Sequence, residues 1–586
     1  MKTAIPHLAL FLLLTMLMAC VEDEPATSSF RKGNEYADQG EFEKAIAEFT
    51  EAVRLDARHF DAYLKMGVAY GNLRQYEREI DNYDQAIRLN PQHAVAYVKR
   101  GIAYDEMGQS DRAIEDFTKA IRLDAEYAEA YYNRGIAYGI LGQFDLAKVD
   151  YDAVIRSNPL HAEAYVNRGI AYNHMNQFDL AKRDYDKAIH INPQFVIAYV
   201  NRGKVYFNLG QFELAKVDYN TATRLDPQFR VAYVDRGKVY FNLGQFEFAI
   251  EDYDTAIRLD PQDALAYHDR GNAYDNLGQY QRAIQDYDQA INIDPRYAAS
   301  YDNRGKVYVR LGQIERAIEN FDEAIRQDSQ FAEAYYDRGN SYRALGKLQR
   351  AIEDYNQAIR IDPQDIAAYN NRGGTFNDLG QRQRAIKDYD KVIRLDPQDA
   401  LAYHNRGNAY GNLGQYQRAI RDYDQAIKID PQDAEAYNNR GEAYRNLGQP
   451  QRAIQELDES IRLDPQYALA YVNRGIAYHL IDQPQRAIMD FDEAIKLDPM
   501  YEDAHFSRGA AYVELGQYQQ AVNDFGEAIR LDSKDAINYV VRALAYTAMG
   551  MDENALNDVD KAAELGLDSE RLEALNENIE GIKMER

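Results

Sequence analysis

Residues Ala264 to Tyr297 read ALAYHDRGNAYDNLGQYQRAIQDYDQAINIDPRY, and Ala400 to Asp433, four periods of 34 residues later, read ALAYHNRGNAYGNLGQYQRAIRDYDQAIKIDPQD. A fixed period of this length marks a repeat architecture. In the first half, Tyr267, Gly271, Tyr274 and Leu277 recur at spacings of four, three and three, one face of an α-helix. Gly278 then supplies a residue able to turn left-handed, which ends that helix. In the second half, Ala283, Ile284, Tyr287, Ala290 and Ile291 share one face, and Gln281, Arg282, Gln285, Asp288 and Gln289 the other. Asp294-Pro295 stops this second helix, because proline drives the preceding residue out of the helical region. Each period is a helical hairpin that buries its apolar face only by stacking on its neighbours.

Numbering the repeat 1 to 34 from Ala264, position 4 is aromatic, 8 is Gly, 11 is Tyr, 20 is Ala, 24 is aromatic, 27 is Ala and 32 is Pro. This set resembles the tetratricopeptide repeat, and it recurs sixteen times in register from Ala26 to Ser569. Repeats start at residues 26, 60, 94, 128, 162, 196, 230, 264, 298, 332, 366, 400, 434, 468, 502 and 536. Glycine holds position 8 in fifteen repeats, Ala543 being the departure, and tyrosine holds position 4 in fourteen, with Ser29 and His505 as exceptions. The resemblance implies an all-α, right-handed α-solenoid (superhelix) of about sixteen helix-turn-helix units. Residues 570–586 read as a C-terminal capping helix carrying Leu572, Leu575, Ile579 and Ile582 on one face. Position 15 is Gly or, in three repeats, Arg74, Asn176 and Asp482, where a left-handed residue is expected. Pro450 and Pro484 fall in the first turn of the second helix, where proline is tolerated.

The 586 residues carry a formal charge of −27 and a pI near 4.9, which disfavours non-specific attraction to nucleic acid. Forty-six per cent hydrophobic residues, with 48 tyrosines and no tryptophan, is the composition of an ordered protein. Cys20 is the single cysteine, so no internal disulfide and no multi-cysteine metal site exists. It follows Lys2 and the apolar run Leu8 to Met18, too short to span a membrane and shaped as an export signal over residues 1–20. Leu17-Met18-Ala19-Cys20 resembles the lipobox of bacterial lipoproteins, which implies lipidation of Cys20. A short acidic linker, residues 21–25, then leads into the first repeat. Val21, in place of the aspartate of retained lipoproteins, points to the outer membrane, with the chain facing the periplasm.

No HExxH, GxSxG or phosphate loop is present, and the ten histidines are scattered rather than gathered at ligand spacing. The sequence therefore reads as non-enzymatic, with no cofactor and no metal. Two features remain. Arginine holds position 7 from Arg100 to Arg542, with an acidic residue at position 23 in nearly every matching repeat, as in Asp116, Asp150 and Asp184. That is either a positive ladder for an acidic ligand or a structural ion-pair ladder between helices.

The second feature is the face formed by positions 2, 5, 6, 9, 12 and 13, opposite the Tyr-Gly-Tyr stripe. In the family it lines the concave groove in which extended peptides bind. Position 6 is asparagine at Asn133, Asn167, Asn201, Asn303, Asn371, Asn405, Asn439 and Asn473. The resemblance implies that these carboxamides grip a peptide main chain, and the alternative is that they satisfy neighbouring helices. Val98, Tyr132, Ile136, Val166, Ile170, Val200, Phe207, Val234 and Phe241 predict an apolar stretch of groove, with Lys204 and Lys238 beside the phenylalanines. A second, polar stretch carries His268, Lys306, Asn340, His404, Asn408 and Arg445. Family members that clamp chaperone C-termini use Lys at positions 2 and 5, and no repeat here has Lys or Arg at either.

The expected function is a lipid-anchored adaptor of the bacterial envelope that binds a protein or extended peptide, as outer-membrane repeat lipoproteins do. A surface-exposed structural protein and a glycan-binding receptor are the competing readings.

Overall fold

A computed structural model describes residues 25–585 of the chain, and the expected export signal, Cys20 and the expected linker up to Glu24 lie outside them. The described residues form thirty-three α-helices and no strand. The paradigm repeat splits where the sequence predicts, into Ala264–Asn276 and Tyr280–Ile293. The chain divides into two compact bodies, Met1–Ile293 and Asp294–Arg586. Within each, a first helix packs on the second helix of its own repeat and on the second helix of the preceding one, so the core is a thin, repeated seam.

That seam is built from a small residue facing a large one. A Cβ added to Gly271 would lie 2.8 Å from the Tyr287 ring, and one on Gly101 would lie 2.6 Å from Phe117. Both distances are inside van der Waals contact, so the aromatic ring at position 24 occupies the space that a side chain at position 8 would need. The ring is fully buried in Tyr83, Phe117, Tyr185, Tyr287, Phe321 and Tyr355. Where position 8 becomes Ala543, position 24 shrinks to Val559, and the pair packs in one cluster with Ala555.

The hairpin turns follow from their end residues. Gly278 has φ +70°, and the three non-glycine replacements Arg74, Asn176 and Asp482 take φ 55°, 57° and 60°. Second helices end at residues such as Asp226, which is extended (φ −134°, ψ 96°) ahead of Pro227. Its Oδ1 accepts the backbone N–H of Gln228 at 2.9 Å, closing an Asx turn. The next first helix is often capped by the residue before it, as Asp399 accepts the Ala402 N–H at 2.9 Å. Pro450 and Pro484 open their helices in the first turn.

At the C-terminus, the helix Ser569–Glu585 buries Leu575 and Ile579 against Ala543, Ala555 and Val559. Leu572 packs beside them. No described helix is long and apolar enough to cross a membrane.

Candidate functional site

Arg168 shows what the position-7 arginines do. Its Nε and Nη2 donate to Asp184 Oδ2 and Oδ1 at 2.7 and 2.6 Å, a bidentate bond to the second helix of its own repeat. Its Nη1 donates to Asp152 of the preceding repeat at 2.6 Å. The guanidinium also lies 5.4 Å from the Tyr165 ring and 5.9 Å from Tyr172, the position-4 and position-11 aromatics. One side chain thus ties three helices together. The same clamp recurs at Arg202, Arg406, Arg474 and Arg508. Burial alone lowers the Arg168 pKa, but the bonds to Asp184 and Asp152 more than reverse this, so the guanidinium stays charged at any ordinary pH. With both edges of these guanidinium groups used inside the fold, the clamp is structural and leaves them no edge for an acidic ligand.

The groove face needs one correction. Val98, Val166, Val200 and Val234, at position 5, are 0, 2, 3 and 5% exposed. They are packed inside the stack, not on a groove wall, because first helices of successive repeats approach across that position. The polar residues that replace them are buried as well: His268, Asp302, His404 and Asn438.

Position 6 faces the preceding repeat. Asn167 Nδ2 donates to Tyr132 OH at 3.2 Å, and Asn473 Nδ2 to Asn438 at 2.9 Å. Asn371 Nδ2 donates to Tyr336 OH and Asn340 Oδ1 at 3.0 and 2.8 Å, and Asn439 Nδ2 to Asn408 Oδ1 at 3.0 Å. Asn133 and Asn201 turn back onto their own helices, donating to Glu129 O and Ile197 O at 2.9 Å. Asn303 and Asn405 are half-buried at the same position. In the other six the nitrogen donates, and the oxygen of Asn439 in turn accepts from Asn438 Nδ2 at 3.0 Å.

Phe207 and Phe241 are half-buried and meet Phe212 and Phe246 edge-on, with ring centroids 5.4 and 5.3 Å apart. Lys204 and Lys238 reach forward to the next repeat, with Nζ 3.5 Å from Asp235 and 3.7 Å from Asp269. Burial pushes the Asp269 carboxyl up to about 6, with Lys238 opposing the shift. Periodicity gave no sign of this position-9 to position-6 pairing, because it joins residues 31 apart that belong to different helices.

Lys306 extends the pattern. Its ammonium sits among Asp302 at 2.8 Å, Asp337 at 3.4 Å and Glu333. These three carboxylates are the one metal-like cluster among the described residues, and the lysine fills it with an internal cation. His404 is held in a similar way, with Nδ1 3.0 Å from Asp433 and Nε2 3.5 Å from Glu435.

Comparison with known families decides what kind of repeat this is. Profiles described as "Tetratricopeptide repeat" match residues 60–93, 82–115, 128–159, 162–195, 196–229, 303–366, 404–468 and 468–500. One described as "TPR repeat" matches 33–73, 103–142, 237–278, 271–312, 373–414 and 509–550. The chain belongs to the tetratricopeptide repeat (TPR) family. No curated protein matches it.

Several solved structures are similar. The APC/C hetero-tetramer Cut9-Hcn1 is 17% identical over 77% of this chain and 96% of that chain, with a TM-score of 0.39. YrrB, described as a TPR protein with an unusual peptide-binding site, is 26% identical over 31% of this chain and 95% of its own, with a TM-score of 0.29. MamA is 31% identical over 27% of this chain and 93% of its own, with a TM-score of 0.26.

Proposed function

We propose that this TPR protein is a non-enzymatic scaffold that holds a protein or extended peptide partner along its first-helix face. The observation that carries the reading is the combination of carboxamides and half-buried aromatic residues on that face. Asn133 and Asn201 donate through nitrogen to their own helix backbone, and Phe207 lies in the repeat of Asn201, with Phe241 one repeat further on. A main chain offers N–H donors to such oxygens, and its side chains meet the apolar surface. The net charge of −27 sets nucleic acid aside as the partner. No catalytic motif competes with this reading.

The second half of the proposal is a lipid anchor at Cys20, in the bacterial outer membrane and facing the periplasm, on the strength of the Leu17-Met18-Ala19-Cys20 motif. Stable anchoring takes more than one acyl chain, which is what lipidated N-terminal cysteines of this kind carry.

The scaffold is tested by photo-crosslinking from a groove position, Asn201, and from an outer position, Lys187, in envelope-bearing cells. A partner crosslinked from the groove and lost in Phe207→Ala with Phe241→Ala supports it. Crosslinks that form from Lys187 and survive the double substitution overturn it. Metabolic labelling with palmitate tests the anchor, because label retained by Cys20→Ser refutes lipidation at that residue.

A further inference from the structure

A pocket of about 530 Å³ opens on the first-helix face between the repeats beginning at Ala128 and Ala162. Its wall is apolar, made by Ile136, Ile140, Phe144 and Ile170, with His174 stacked flat on Phe144 at 4.3 Å between centroids. The volume is within the range of small-ligand sites.

Position 12 of this repeat is Gly139, so no side chain enters the pocket from there. A Cβ there would meet nothing within 4 Å, and the residue is helical, so no backbone constraint calls for glycine. Two and three repeats further on, position 12 is Phe207 and Phe241. Their rings lie against Phe212 and Phe246, the position-17 residues that correspond to Phe144. The chain therefore shows, in its own neighbouring repeats, what this space accepts. Phe144 lacks the edge-on ring that Phe212 and Phe246 each have, and Ile140 at the rim is 64% exposed.

We infer that the Gly139 pocket receives one aromatic side chain, a phenylalanine in an extended segment of the partner polypeptide. This rests on the groove reading and adds to it a residue-specific subsite. The guest ring takes the place that Phe207 fills two repeats on. Asn167 lines the same pocket, its nitrogen bound to Tyr132, so its oxygen is placed for a main-chain N–H of the guest.

The test is a methyl NMR titration of the full chain with two capped pentapeptides, Ala-Ala-Phe-Ala-Ala and Ala-Ala-Asp-Ala-Ala. The phenylalanine peptide is expected to shift the Ile136, Ile140 and Ile170 methyls, and the aspartate peptide to leave them. Gly139→Phe, which plugs the pocket with the chain's own ring, is expected to keep the wild-type melting temperature and weaken binding at least tenfold. Phe207→Ala is expected to create a second site, seen as new shifts at Val200 and Val239. No shift in the wild type, or binding unchanged in folded Gly139→Phe, overturns the inference. The pentapeptide reports the pocket without any natural partner. Groove crosslinks that form while these shifts are absent sink the pocket alone. Shifts that appear while no groove crosslink forms sink the scaffold alone.

Discussion

At the scale of single residues, the decisive contact is a hydrogen atom standing where a methyl would not fit. Gly271→Ala drives a Cβ to within 2.8 Å of the Tyr287 ring, an overpacking that costs about 1–3 kcal/mol. Combining it with Tyr287→Val reproduces the Ala543 and Val559 pair that the chain itself uses. A double-mutant cycle read by hydrogen exchange in this hairpin is expected to give a favourable coupling of at least about 1 kcal/mol, and additive losses refute the pairing.

His404 makes a second prediction. Burial opposes its charge, but the bonds to Asp433 and Glu435 prevail and raise its pKa from 6.5 to about 9. A folded-state value above the unfolded one means stabilisation that is complete below about pH 6.5 and is lost as pH rises through about 9. Thermal unfolding of wild type against His404→Gln is expected to show a gap of up to about 3 kcal/mol at pH 6 that closes by pH 10. A gap independent of pH removes the histidine from the account.

At the scale of helices, the position-7 clamp carries the argument. Arg168→Ala leaves Asp184, 6% exposed, as a buried carboxylate without its cation, and is expected to cost about 3 kcal/mol. Arg168→Leu with Asp184→Ala removes both charges and is expected to fall within about 1 kcal/mol of wild type. Urea unfolding monitored in the N-terminal body separates the two, and equal losses refute a charge-desolvation origin.

Both helices of every repeat were legible in the sequence, because Gly271, Tyr287 and Pro295 report on contacts within one hairpin. The arginine ladder was half legible. Its partner at position 23 recurs sixteen residues on in the same hairpin, but its second partner, Asp152 for Arg168, belongs to another repeat. Position 5 misled for the same reason. A helical wheel places Val98 near the groove, and only the neighbouring first helix buries it completely. The Gly139 pocket was silent, since a space between repeats leaves no mark on the apolar pattern.

At the scale of the whole molecule, stability is a chain of local seams. Within each body, helices contact the helix adjacent in sequence and, more sparsely, the one beyond. Such arrays approximate a sum of repeat and interface terms, so damage stays near its source. Leu575→Asp with Ile579→Asp strips the cover from Ala543, Ala555 and Val559. Amide exchange is expected to quicken over Ala536–Ala548 and Asp552–Glu564 while the helices of the N-terminal body keep their protection. Uniform loss across the chain refutes this locality.

The arginine clamp also bears on how such a protein changes length. Excising residues 162–195 would splice Arg202 onto Asp152 instead of Asp186, one aspartate standing in for another at the same register. Gain or loss of whole periods therefore keeps each guanidinium in register with position 25 of the repeat before it, whereas a cut of any other size leaves the two out of step. Thirty-four residues is thus the quantum in which such a chain can grow or shrink without a new kind of joint.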